Sequence, residues 1–137
     1  MGEGDQVKHT GGCHCGAVQF EVDASPNMEI TDCNCSICRM SGYWHLIVPV
    51  GQFHLLTGDE YLTTYKFGSG IAQHKFCRNC GVKSFYIPRS HPDGVSVNAR
   101  CLKPETIQSM KFLPFDGLHW EKHIQEINPA HDMLTGE

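Results

Sequence analysis

At 137 residues, with hydrophobic residues at 40% and aromatics at 9%, the chain has the size of one ordinary domain whose modest core bound metal would help to stabilise. Its formal charge is -4 and its basic residues are isolated, Lys8, Lys66, Lys75 and Lys83 among them, so the basic footprint of a nucleic-acid binder is missing and no such partner is expected. No run is apolar and long enough to span a bilayer, and Met1-Gly2-Glu3-Gly4-Asp5-Gln6 is unlike a leader, which together point to a cytoplasmic protein without a membrane partner.

Strands dominate the first three quarters. Val18, Phe20 and Val22 alternate with Gln19 and Glu21, and a period of two or a β-branched and aromatic enrichment recurs over His45 to Val50, Tyr61 to Phe67, Ile71 to Phe76 and Ser84 to Ile87. Gly11-Gly12, Pro26-Asn27, Gly51, Gly58-Asp59, Gly68-Ser69-Gly70 and Pro92-Asp93-Gly94 separate these runs with the chemistry of chain reversals, so most neighbouring strands should be antiparallel. Helix is confined to the end: a short one over Lys103 to Met110, then a better one capped by Asp116 with Trp120, Ile124 and Ile127 on one face. No repeat or linker suggests a second domain.

Seven of the eight cysteines form three tight clusters: Cys13-His14-Cys15, Cys33-Asn34-Cys35-Ser36-Ile37-Cys38 and Cys77-Arg78-Asn79-Cys80. Cys101 stands alone. Neighbouring cysteines in a C-x-C are badly placed to bond each other, whereas sulfurs two or three residues apart on a turn converge on an ion, so the pattern is that of metal ligation. Cys77-x-x-Cys80-Gly81 has the form of a zinc knuckle, with amides placed to donate to sulfur and Gly81 free to take a positive φ. A redox-active C-x-x-C would need a βαβ setting that its strand-rich flanks do not offer. Cys13-His14-Cys15-Gly16 is a similar turn beside a strand. Two such turns on adjacent strands would make a closed tetrahedral zinc site, leaving a second zinc on Cys33, Cys35 and Cys38 with one position open. Two alternatives stand beside this division: a second closed site, completed by Cys101 or a histidine, and an iron–sulfur cluster, which the unlike spacings disfavour.

His119-Trp120-Glu121-Lys122-His123 has two histidines four apart, but Glu121 is not next to the first of them as a metalloprotease motif requires, so both are read as solvent-facing. Arg39, His45 and His74 are candidate pocket residues, with the surface the expected placement for each.

Thr10-Gly11-Gly12-Cys13-His14-Cys15-Gly16-Ala17-Val18, Asp32-Cys33-Asn34-Cys35-Ser36-Ile37-Cys38, Phe76-Cys77-Arg78-Asn79-Cys80-Gly81 and the late Phe115-Asp116-Gly117 before Trp120-Glu121 resemble the family of glutathione-dependent formaldehyde-activating enzymes and centromere protein V. The resemblance implies a mainly β, Mss4-like fold of coiled antiparallel sheets stapled by zinc, with a short C-terminal helix. It also implies a single zinc-binding domain over residues 1–137 with its core at about 9–123. Two zinc ions per chain are implied, a structural one on Cys13, Cys15, Cys77 and Cys80 and a catalytic one on Cys33, Cys35 and Cys38. The implied activity is that of a carbon–sulfur lyase of the S-(hydroxymethyl)glutathione synthase type, with glutathione and an aldehyde as small-molecule partners. Asp32 to Cys38 and Phe85-Tyr86-Ile87-Pro88-Arg89-Ser90 are closest in wording to the centromere protein V branch. That favours an alternative, a non-catalytic zinc module binding a thiol or a protein. No basic run precedes Thr10 to carry a chromatin or microtubule role.

Overall fold

The computed structural model of the chain describes residues 6–67, 70, 72–88 and 93–116. The described strands, in chain order, are β1 (Val7–Gly12), β2 (Gln19–Ala24), β3 (Asn27–Cys33), β4 (His45–Pro49), β5 (Phe53–Thr57), β6 (Leu62–Tyr65), β7 (Gln73–Cys77), β8 (Phe85–Ile87), β9 (Gly94–Asn98) and β10 (Ser109–Phe115), with one helix, α1 (Ser36–Ser41), between β3 and β4. They form a three-stranded sheet, β1-β2-β5, and a seven-stranded sheet, β10-β3-β4-β9-β8-β7-β6. Every described pairing between strands is antiparallel except β10 on β3. The fold is therefore mainly β, in agreement with the Mss4-like class.

The alternation of β2 does what its pattern predicts: Phe20, Val22 and Ala24 are buried while Gln19 and Glu21 are not. These side chains meet Met28 and Ile30 of β3, Leu46 and Val48 of β4, Phe85 of β8 and Val95 and Val97 of β9, making the main core between the sheets. Phe53 of β5 bridges it, with ring centroids 5.2 Å from Phe20 and 4.6 Å from Phe85. Because Phe20 is 1% exposed in this trio, Phe20→Ala is expected to cost about 3–5 kcal/mol, read as a lower denaturant midpoint at unchanged slope.

Strand β9 is buried on both faces, and that gives the molecule a second interior. Val95 and Val97 enter the main core, while Ser96 faces the other side with His45 of β4 and Tyr86 of β8. There the Tyr43 hydroxyl donates to the Ser96 carbonyl at 2.6 Å, and Tyr43 and Tyr86 pack edge to face at 5.3 Å. Cys33, Cys35 and Cys38 complete this smaller cluster.

Three expectations are corrected. Helix is not confined to the end, since α1 is a helical turn built from the second cysteine cluster and closed by Gly42 at φ 65°. Lys103 to Met110 is not a helix: a 3₁₀ turn, Pro104–Thr106, is followed by β10, which pairs with β3 from Ser109↔Asn27 to Phe115↔Cys33. A full row of interstrand hydrogen bonds outweighs a helix preference of only tenths of a kcal/mol per residue. Gly11-Gly12 does not reverse the chain but ends β1, opposite Phe20 and Gln19. The terminal helix, with Trp120, Ile124, Ile127, His119 and His123, falls outside the described residues.

Candidate metal centres

The loop after β1 and the loop after β7 are near-copies. In the first, the amide of Cys13 donates to the Val18 carbonyl at 3.0 Å, the Val18 amide donates to Cys13 Sγ at 3.3 Å, and Gly16 sits at φ 85°. In the second, the Gly81 amide donates to the Cys77 carbonyl at 2.7 Å, the Asn79 amide donates to Cys77 Sγ at 3.4 Å, and Gly81 sits at φ 79°. Amides aimed at sulfur stabilise thiolate, which is the form that ligates.

The two loops meet. Cys13 Sγ lies 3.6 Å from Cys15 Sγ, which lies 3.7 Å from Cys77 Sγ, and with Cys80 all four sulfurs fall within 4.8 Å of one another. A tetrahedron with metal–sulfur bonds of about 2.3 Å has edges of about 3.8 Å, so this donor set fits a tetrahedral thiophilic ion. The expectation of adjacent strands is corrected: β1 belongs to the three-stranded sheet and β7 to the seven-stranded one. An ion here would clamp the two sheets together at one end of the core. Without one, the crowded thiols titrate apart. Burial and the neighbouring sulfurs push Cys13 up to about 11, while at Cys80 burial is outweighed by hydrogen bonds, chiefly from the amides of Cys15 and Val82, and the thiol falls to about 6.

Gly58 holds the first loop from below. Its φ of 98° disfavours any side chain, and a Cβ would come 2.3 Å from the Ala17 carbonyl oxygen and 2.6 Å from Val18 Cα. Gly58→Ala is therefore expected to cost about 1–3 kcal/mol through backbone strain and a similar amount through overpacking, and to lower metal content with stability.

The second centre has a different architecture. Cys33 ends β3, Cys35 is the N-cap residue of α1 and Cys38 lies within that helix, so a strand-to-helix junction gathers three sulfurs within 4.8 Å. They are 5%, 0% and 2% exposed. Sulfur hydrogen bonding with Cys33 and Cys35, and then burial, drives the Cys38 thiol far above its ordinary value. Three thiols so confined cannot all ionise alone, and a dication is what makes three thiolates affordable.

Neither Cys101 nor a histidine joins this trio among the described residues. His45 sits beside Cys38, with Nε2 2.9 Å from Cys38 Sγ and Nδ1 2.9 Å from Ser96 Oγ. Burial, with help from the Lys83 charge, brings His45 down to about 4, which keeps the imidazole neutral near pH 7. It can then donate from Nε2 to sulfur while Nδ1 accepts from Ser96, an arrangement that orients the Cys38 sulfur. A cavity of about 300 Å³, lined by Cys33, Cys38, Arg39, Trp44 and Arg100 among others, reaches this centre from outside. A larger cleft of about 560 Å³ lies between β3 and β4, away from every cysteine.

The surface placement expected for His45 and His74 is wrong: they are 3% and 2% exposed, His45 beside Cys38 and His74 stacked on Tyr86 at 4.6 Å. Arg39 is exposed and lines the small cavity, as a pocket residue would. Tyr43, Tyr86, Ser96 and Arg100 also stand at this centre, and nothing in the sequence marks any of them as a site residue. The period of two would place Phe85 and Tyr86 on opposite faces of a strand, but which face looks toward Cys38 depends on neighbours the sequence does not name.

A family model described as "Glutathione-dependent formaldehyde-activating enzyme" matches residues 8–113. The chain is also similar to a Rhodobacter sphaeroides protein of known crystal structure, at 32% identity and a TM-score of 0.63, over 76% of this chain and 99% of that one.

Proposed function

We propose, since this chain belongs to the family of glutathione-dependent formaldehyde-activating enzymes, that it is a zinc-dependent carbon–sulfur lyase making or cleaving S-(hydroxymethyl)glutathione at the three-cysteine centre. In the forming direction a carbon–sulfur bond is made between the thiol and formaldehyde, the carbonyl π bond breaks, and the thiol proton ends on the new hydroxyl oxygen. Cys33, Cys35 and Cys38 would hold the catalytic zinc, and Cys13, Cys15, Cys77 and Cys80 the structural one. Bound by three thiolates, zinc supplies a thiophilic Lewis acid that lowers the pKa of a substrate thiol.

The observation that carries this reading is a buried sulfur trio that a cavity nevertheless reaches at Cys33 and Cys38. Around it the chain's own residues do three things. Cys35 and Cys38 are held in place by α1, the rings of Tyr43 and Tyr86 keep water from the inner side, and His45 fixes the Cys38 sulfur. Holding thiol and aldehyde together in such a cavity makes their combination effectively unimolecular. Eight cysteines without a disulfide among them suit a reducing compartment such as the cytoplasm.

The direct test is turnover of glutathione and formaldehyde above their spontaneous combination. A rate equal to the spontaneous one, with both ions bound, refutes the catalytic reading and leaves a zinc module. Metal analysis should find two zinc ions per chain. At equilibrium a competing chelator should remove the three-cysteine ion first, because fewer thiolates hold it, and the second only with loss of the β-sheet signal. One equivalent, or iron, would refute the division.

A further inference from the structure

The small cavity at the second centre is walled by charge as well as by sulfur. Arg39 lies in the last turn of α1, directly after Cys38, and Arg100 follows β9 in a 3₁₀ turn, so two different elements bring arginines to one opening. Neither forms an ion pair with a carboxylate among the described residues. Arg100 is not loose. Its guanidinium carbon lies 3.9 Å from the centroid of the Trp44 ring, and that ring is itself braced edge to face by Phe112 at 4.9 Å. The Asn98 side chain accepts from the Arg100 amide at 3.1 Å, which fixes the backbone beneath it. An arginine stacked on an aromatic face keeps its planar fork of donors directed outward and loses little entropy on binding, the arrangement suited to a carboxylate. Asp32, just before Cys33, adds one negative charge to the same lining.

We infer that Arg39 and Arg100 bind the carboxylates of the thiol substrate and that Asp32 receives its ammonium, so that this centre selects a small zwitterionic, acidic thiol over neutral ones. The inference rests on the proposed thiol-binding reading of the three-cysteine centre and extends it to specificity. Two positive groups and one negative group complement a tripeptide thiol that carries two carboxylates and one ammonium. A volume of about 300 Å³ is at the small end of ligand sites and leaves little room for a larger partner.

The test is calorimetry on the zinc-loaded protein with four ligands: glutathione, its diethyl ester, S-methylglutathione and 2-mercaptoethanol. The diester should bind wild-type protein at least tenfold more weakly than glutathione. Arg39→Gln and Arg100→Met should each weaken glutathione by tenfold or more, leave 2-mercaptoethanol unchanged, and shrink the preference for glutathione over its diester. Arg100→Lys should recover part of the loss, and Asp32→Asn should weaken glutathione less. Equal binding of glutathione and its diester by wild-type protein overturns the inference without need of any variant. So does an equal loss of glutathione and 2-mercaptoethanol in the arginine variants, which would make the arginines structural, and so does failure of both glutathione forms to bind at millimolar concentration. S-methylglutathione separates the two readings. If it binds as tightly as glutathione and still depends on Arg39 and Arg100, the charge recognition stands and the thiol–metal reading falls.

Discussion

Cys77→Ser is expected to give insoluble or partly unfolded protein, while Cys38→Ser remains a folded domain without turnover. Cys77 is fully buried, ends β7, and stands 3.7 Å from the sulfur of Cys15, which is carried by the loop of the other sheet. Structural zinc contributes about 10–16 kcal/mol of apparent binding energy in small domains, comparable with or greater than the 5–15 kcal/mol of net stability of a typical fold. Spoiling that site therefore removes a clamp of the same order as the whole stability, and it does so where two sheets meet. At Cys38 the geometry is more forgiving. Serine is slightly smaller than cysteine, and its hydroxyl would find His45 Nε2, now 2.9 Å from sulfur, as a hydrogen-bond partner, so no buried polar group is orphaned. The cost should be about 1–2 kcal/mol. Circular dichroism, metal content and a denaturation midpoint for the two variants decide the matter. A Cys38 variant that unfolds as badly as the Cys77 one would make the three-cysteine centre structural.

Glutathione should bind the zinc-loaded protein about a hundredfold more tightly than S-methylglutathione. The two share both carboxylates and the ammonium, and differ in that a thioether cannot become a thiolate. Losing a charged sulfur donor at a thiophilic centre is expected to cost roughly 3 kcal/mol, which at 1.4 kcal/mol per decade is that factor. Exchange of zinc for cobalt supplies a second readout, since a further sulfur donor alters the visible absorption and a thioether should alter it far less. Cys33, Cys35 and Cys38 are buried, and the small cavity beside Arg39 and Arg100 touches Cys33 and Cys38, so sulfur ligation is expected to depend on entry there. Equal affinities with an unchanged cobalt spectrum would exclude sulfur ligation at this centre.

What could be read in the chain itself was what short range determines. Cysteine spacing of one or two residues sets whether sulfurs converge on a turn, and the amide-to-sulfur bonds and positive φ at Gly81 follow from that local geometry. The inside and outside of β2 were legible for the same reason, since a period of two is a property of a strand alone. Even the mainly β class follows from alternation and turn residues.

Long range decided the rest. That Cys13 and Cys77 approach from different sheets, rather than from neighbouring strands, depends on how the sheets stack over Phe20, Phe53 and Phe85. Residues Ser109 to Phe115 became a strand because β3 offered them a free edge, a partner found some eighty positions earlier. His45 is polar and was assigned to the surface, yet β9 places Ser96 and β8 places Tyr86 against it, and satisfied hydrogen bonds remove the penalty that normally keeps imidazole out of a core. Arg100 has no signal in its own neighbourhood. Only the folding of β9 beside β4 sets it on Trp44, more than fifty residues away, and so turns an ordinary surface arginine into one wall of the cavity at the second centre.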